Sequence, residues 1–246
     1  MATGKKRTLI ISAAAMAIAC TGLPALIAVA APAPQQPTAT APDTLIHAGR
    51  VLADPATGRV LTEQSILVRG GRIVSIAAGY AAPANGATVV DLKSSFVLPG
   101  LIDSHVHITG EQGPDSRVDE FIKTSADQAI DGAGFAVKTL NAGFTTVADL
   151  GADADAILAL RRGIATGIIP GPRIIASAGA ISVHGGHGDA NGMPRNMALI
   201  LRSPGVCSGA DDCARAVRER VRDGADIIKI TATGGVLSNT AAGLAQ

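Results

Sequence analysis

From residue 98 onward the chain repeats one pattern, a short apolar run followed by a stretch of helical spacing, and this alternation constrains the fold most. The apolar runs are residues 101–108, 144–149, 173–177 and 226–231. Between them, residues 119–140, 153–166 and 211–223 have helical spacing, as in Phe121, Ile122, Ala129, Ile130, Val137 and Leu140. Asn141-Ala142-Gly143, Gly167 and Gly224 close these helices, and Ser208 with Asp211 forms a candidate capping box for the third. Strands that alternate with helices build a parallel sheet. These strands are apolar on both faces, which predicts a sheet covered by helices on both sides. An open doubly wound sheet and a (β/α)8 barrel both satisfy the pattern, so the chemistry at the strand ends has to choose.

Residues 44–97 follow a different rule. Runs at 44–52, 65–69, 72–76 and 87–92 read as short strands. Gly70-Gly71 suits a two-residue hairpin turn, and Asp54-Pro55-Ala56-Thr57-Gly58 a looser one. Four strands of this size cannot bury both faces alone and require a partner layer.

The first 43 residues lie outside either unit. Lys5, Lys6 and Arg7 precede an apolar run over residues 9–31, and Ala28-Val29-Ala30 offers a small-x-small cleavage pattern. Residues 1–30 therefore read as a secretory signal peptide. The run is also long enough for a retained membrane anchor, although Pro24 and the alanine-rich composition favour cleavage. Ala17-Ile18-Ala19-Cys20 is a poor lipidation site. Residues 31–43, rich in Pro, Ala and Thr, read as a tether. The expectation is a secreted or periplasmic protein, off the membrane once the leader is cut. A formal net charge of +1, one Tyr and no Trp leave no basic stripe or stacking platform for nucleic acid. The sequence leaves a homo-oligomer open.

Three features carry chemistry. His105 and His107 lie two apart at the end of the first strand of the parallel array and project to one side, where two imidazoles can hold a divalent metal such as zinc. C-terminal strand ends are where catalytic residues gather in barrels. Lys229 sits inside the apolar run 226–231, where an unpaired ammonium is costly. A neutral amine there can take up carbon dioxide as a carbamate. The competing readings are a lysine at a strand end or one paired with Asp149 or Asp226. Ser182-Val183-His184-Gly185-Gly186-His187-Gly188-Asp189 is glycine-rich and follows the third strand. His187 is the candidate substrate contact there, His184 a weaker one, and a mobile loop without function the competing reading. His47 reads as structural. In an oxidising compartment, Cys207 and Cys213 are expected to form a disulfide.

Taken together, these segments resemble the amidohydrolase superfamily, in the exported branch grouped with Xaa-Pro dipeptidases and imidazolonepropionase-like hydrolases. The resemblance rests on residues 97–107, 141–147 and 224–230, with Thr233-Gly234-Gly235-Val236 and the hairpin over residues 66–76 adding to it. It implies an α/β fold, a (β/α)8 TIM barrel beside a small β-sandwich. Residues 44–97 would supply the N-terminal part of the sandwich and residues 98–246 the first half of the barrel. It also implies two divalent metal ions, usually zinc, with His105 and His107 as ligands and Lys229 as the CO2-derived carbamate. Two further histidines and a general-base aspartate would come from later strands, beyond Gln246. The implied reaction is hydrolysis of an amide C–N bond by metal-activated hydroxide, in a dipeptide or a cyclic amide. A barrel needs about 250 residues and only about 150 follow residue 98. The chain on its own is therefore expected to be truncated after the fourth strand, poorly stable and inactive. A non-catalytic fragment and a binding remnant of such an enzyme stay open as alternatives.

Overall fold

The computed structural model describes residues 42–84, 86–190 and 192–235. The expected leader, Cys20 and all but the last two residues of the tether lie outside the described residues. Among the described residues, no helix is long and apolar enough to cross a membrane.

The N-terminal unit is one mixed sheet. Strands β1 (Thr44–Asp54), β2 (Arg59–Arg69), β3 (Arg72–Ala78) and β4 (Thr88–Val97) lie in the order β3-β2-β1-β4. The β1–β2 and β2–β3 pairs are antiparallel, and β1–β4 is parallel. Gly70 and Gly71 join β2 to β3 with φ of 54° and 74°, the double positive φ that a tight hairpin turn requires. Ala48, Val51 and Ile66 form the small core of this sheet, while β3 is exposed along its whole length.

The alternating unit follows. Its elements are β5 (Leu101–Val106), α1 (Ser116–Ile122), α2 (Ser125–Asn141), β6 (Phe144–Asp149), α3 (Ala154–Ala165), β7 (Arg173–Ala176), β8 (Ala180–Val183), α4 (Arg195–Leu201), β9 (Val206–Cys207), α5 (Gly209–Asp223) and β10 (Lys229–Thr231). The strands form two parallel sheets, β5-β6-β7 and β10-β8-β9. Asp226 stitches the two together. Its N–H donates to the Ala176 carbonyl at 2.8 Å, and its carboxylate accepts from the Ala176 N–H at 2.9 Å and pairs with Arg161. The segment ahead of β10 thus runs beside β7, and β10 itself beside β8. Val147, Ile157, Leu160, Ile174 and Ala176 make the main core, where α2 and α3 pack on β6 and β7.

Several expectations need correction. The helix predicted over residues 119–140 is two helices. Thr124 caps the second, its hydroxyl accepting from Asp127 N–H while the Asp127 carboxylate accepts from Thr124 N–H, so a cap interrupts a continuous apolar spacing. The first strand stops at Val106, and the last begins only at Lys229. Ser208 does not make the expected box. Its N–H donates to the Asp212 carboxylate, and its hydroxyl meets His184 Nδ1 at 2.6 Å. β8, α4 and β9 fall in stretches where the sequence suggested no strand or helix, because elements of two to seven residues are too short to show a period. Cover on both faces also fails for β5 and β10. Ile102 is 72% exposed and Ile230 62%. Each strand is an edge among the described residues, paired on one side only.

Cys207 and Cys213 are disulfide-bonded, as expected, with Cα atoms 5.0 Å apart. The bond ties β9 to the second turn of α5 beside Ile181 and Ala216. It closes a short loop, so chain entropy limits its contribution to about 2 kcal/mol. Non-reducing peptide mapping is expected to recover the two cysteines as one linked peptide, and a reductant to lower the melting temperature modestly. Recovery of two free thiols from unreduced protein would count against the bond.

Candidate active site

The site is built on the C-terminal end of β5. The β5–β6 register slips between Asp103 and Val106, so that β5 spends one more residue than β6 over this stretch. The Asp103 carboxylate accepts the His105 N–H at 3.0 Å inside this irregularity. The imidazoles of His105 and His107 lie side by side, ring centroids 5.4 Å apart and edge to face. Both residues are exposed.

Lys229 opens β10 and pairs in register with Ala180 of β8. It is half-buried, not enclosed. Its charge reaches His105, whose pKa falls below the usual imidazole range. The largest cause is local burial of the ring, followed by the positive charge of Lys229 and then by His107, with Asp103 and Asp149 opposing. Lys229 thus lies within electrostatic range of His105. The partners considered for Lys229 are engaged elsewhere: Asp226 holds Arg161, and the Asp149 carboxylate takes backbone N–H groups.

Asp149 is the feature that sequence reasoning missed, having weighed it only as a lysine partner. It ends β6 and is fully buried. Burial raises its pKa, offset by hydrogen bonds from Ile108 N–H at 2.7 Å and Gly151 N–H at 3.1 Å and by the charges of His107 and His105. The Gly151 carbonyl in turn accepts from His107 Nδ1 at 2.6 Å. In a neutral imidazole that hydrogen bond leaves the lone pair on Nε2. The available signal was a carboxylate closing an apolar strand immediately before Leu150-Gly151.

The glycine-rich loop lies at the C-terminal ends of β8 and β10. Gly188 N–H donates to Ser182 Oγ, and Gly188 packs close to Thr231. The exposed His187 ring lies against Gly235, where a side chain would collide with it. His184 is committed differently, with Nδ1 on Ser208 Oγ and Nε2 on Arg202. His47 is buried and bonds the Ala81 carbonyl at 3.0 Å, a structural placement as expected.

Two neighbouring imidazoles suit a borderline divalent metal. His107 presents a defined lone-pair nitrogen, and the lowered pKa of His105 favours its neutral, ligating form. Among the described residues, no three His, Cys, Asp or Glu side chains gather as a metal cage.

A family model for the amidohydrolase family matches residues 96–245. The chain belongs to the amidohydrolase family. This amidohydrolase is similar to a crystal structure described as a Xaa-Pro dipeptidase with methionine bound in the active site. The two are 38% identical with a TM-score of 0.69, over 80% of this chain and 48% of the other. It is similar also to a prolidase crystallised with N-methylphosphonate-L-proline, at 32% identity and a TM-score of 0.66, over 80% of this chain and 48% of that one. Ochratoxinase from Aspergillus niger is 28% identical over 213 residues, 79% of this chain and 43% of that protein. The chain thus spans about half the length of the relatives it matches. Its parallel strands and covering helices are the α/β architecture of the TIM-barrel superfamily that this amidohydrolase shares with its neighbours.

Proposed function

We propose that this chain is part of an exported, metal-dependent amidohydrolase that cleaves an amide C–N bond in a dipeptide, with proline-containing dipeptides first and cyclic amides second. The observation that carries the reading is the His105–His107 pair at the end of β5, with Lys229 within electrostatic range of His105. The bond type and substrate class are supported by two similar structures, whose descriptions name an Xaa-Pro dipeptidase and a prolidase. Residues 98–246 would contribute the first part of a (β/α)8 barrel and residues 44–97 part of a β-sandwich. Export rests on the leader over residues 1–30, and a secreted or periplasmic location follows from it.

In this reading His105 and His107 hold divalent metal, zinc by preference, and His187 on the glycine-rich loop contacts substrate. As an ammonium, Lys229 would repel a dication. As a carbamate, formed when its neutral amine adds CO2 and releases one proton, it presents two anionic oxygens instead. Divalent metal ions bound there supply Lewis-acid polarisation of the scissile carbonyl and lower the pKa of water. The protein's own part is to fix the imidazoles: the Gly151 carbonyl orients His107, and the Asp103 carboxylate pins the backbone at His105.

The test is metal analysis of the full-length protein with a dipeptide panel. Bound zinc and hydrolysis of Xaa-Pro or related dipeptides, lost on chelation and restored by metal, are the expected results. Hydrolysis that survives complete removal of metal would overturn the reading.

A further inference from the structure

We propose that Asp149 is a positioning residue for His107: its carboxylate clamps the two backbone segments that set the ring's place and tautomer. The inference rests on the metal-site reading only for its functional consequence.

Asp149 is the one buried carboxylate among the described residues. Burying a carboxylate costs free energy unless its oxygens are satisfied, so this one is held for what it binds. Its two oxygens go to different places. Oδ2 accepts from Ile108 N–H, the residue directly after His107, and Oδ1 accepts from Gly151 N–H. The first bond fixes the backbone from which the ring projects. The second fixes the residue whose carbonyl receives the ring's Nδ1–H. One buried group therefore holds both ends of the His107 side chain, its root and its hydrogen-bond acceptor.

Gly151 completes the device. A Cβ there would lie 3.2 Å from His107 Cε1 and 3.4 Å from Nδ1, tighter than side-chain contacts normally allow. The absence of a side chain lets the carbonyl come to 2.6 Å from the ring. Aspartate at 149 and glycine at 151 thus act together, one as clamp and one as clearance. An asparagine at 149 could satisfy only one of the two N–H groups, because its amide NH2 would face the other as donor to donor.

The test uses full-length protein and two variants, Asp149→Asn and Gly151→Ala, with folding checked by circular dichroism. Imidazole nitrogen NMR on metal-free protein at alkaline pH reads the His107 tautomer. Titration with Zn2+ alone reads affinity. Wild type is expected to hold His107 as the Nδ1–H form. Both variants are expected to show mixed tautomers and weaker Zn2+ binding, by about 10–100-fold, the usual effect of losing a partner that orients a metal ligand. A general loss of stability would not by itself change the tautomer. A folded Asp149→Asn that keeps the Nδ1–H form and binds Zn2+ like wild type would overturn the proposal. If Asp149→Asn does not fold, Gly151→Ala decides on the same two readouts. If wild type binds no Zn2+, the metal reading fails, and the tautomer measurement alone judges the clamp.

Discussion

Under the proposed function, replacing His105 or His107 by alanine in the full-length protein is expected to strip metal from the site and reduce kcat/KM on a dipeptide substrate on the order of 10³-fold or more. The two rings are 5.4 Å apart at one strand end, and the Nε2 lone pair of His107 is left free by its bond to Gly151. Each substitution removes one of the few donors this part of the chain offers. Lewis-acid polarisation is worth several kcal/mol of transition-state stabilisation, and each 1.36 kcal/mol is about tenfold in rate. Neither residue is buried, so the folded state should survive the change. The readouts are metal content by elemental analysis, steady-state kinetics and thermal melting. Full metal occupancy and near-normal turnover in both variants would remove these histidines from the mechanism.

The largest expected effect on stability lies elsewhere, at Ile157→Ala. Ile157 is 0% exposed on α3, packed in the cluster with Val147, Leu160 and Ile174. Removing three buried carbons leaves a cavity that the surrounding strand and helices cannot fully close. The cost is about 2–5 kcal/mol, out of a total stability of roughly 5–15 kcal/mol. For a chain of this size the melting temperature should drop about 2–4 °C for each kcal/mol. Ile130→Ala supplies the contrast, since that residue is 72% exposed on α2 and its truncation should cost under about 0.5 kcal/mol. A melting curve for Ile157→Ala that overlays wild type would contradict the core described here.

The order of the longer elements was legible in the sequence because it depends on local pattern. The hairpin at Gly70-Gly71 and the strand over residues 144–149 were predicted at or near their observed places. The disulfide was legible for a different reason: an oxidising compartment favours pairing of two cysteines, and one just ahead of a helix and one in its second turn come within bonding reach. Less legible were elements whose period is too short to read, such as β9 with two residues. The break at Thr124 was hidden because the apolar spacing continues across it.

The sequence by itself determined the longer elements and their alternation, and it picked out His105, His107 and Lys229 as candidates. Those readings follow from periodicity, from turn-forming residues and from polar groups in apolar runs, all properties of neighbours along the chain. Only the tertiary structure decided which strands lack cover, that Asp226 belongs to Arg161 and Ala176 and not to Lys229, and that Asp149 grips Ile108 and Gly151. A carboxylate's partner is set by which backbone N–H groups lie within hydrogen-bond reach. Ile108 lies 41 residues from Asp149 in sequence, and their contact at 2.7 Å exists only because β5 and β6 pair in parallel.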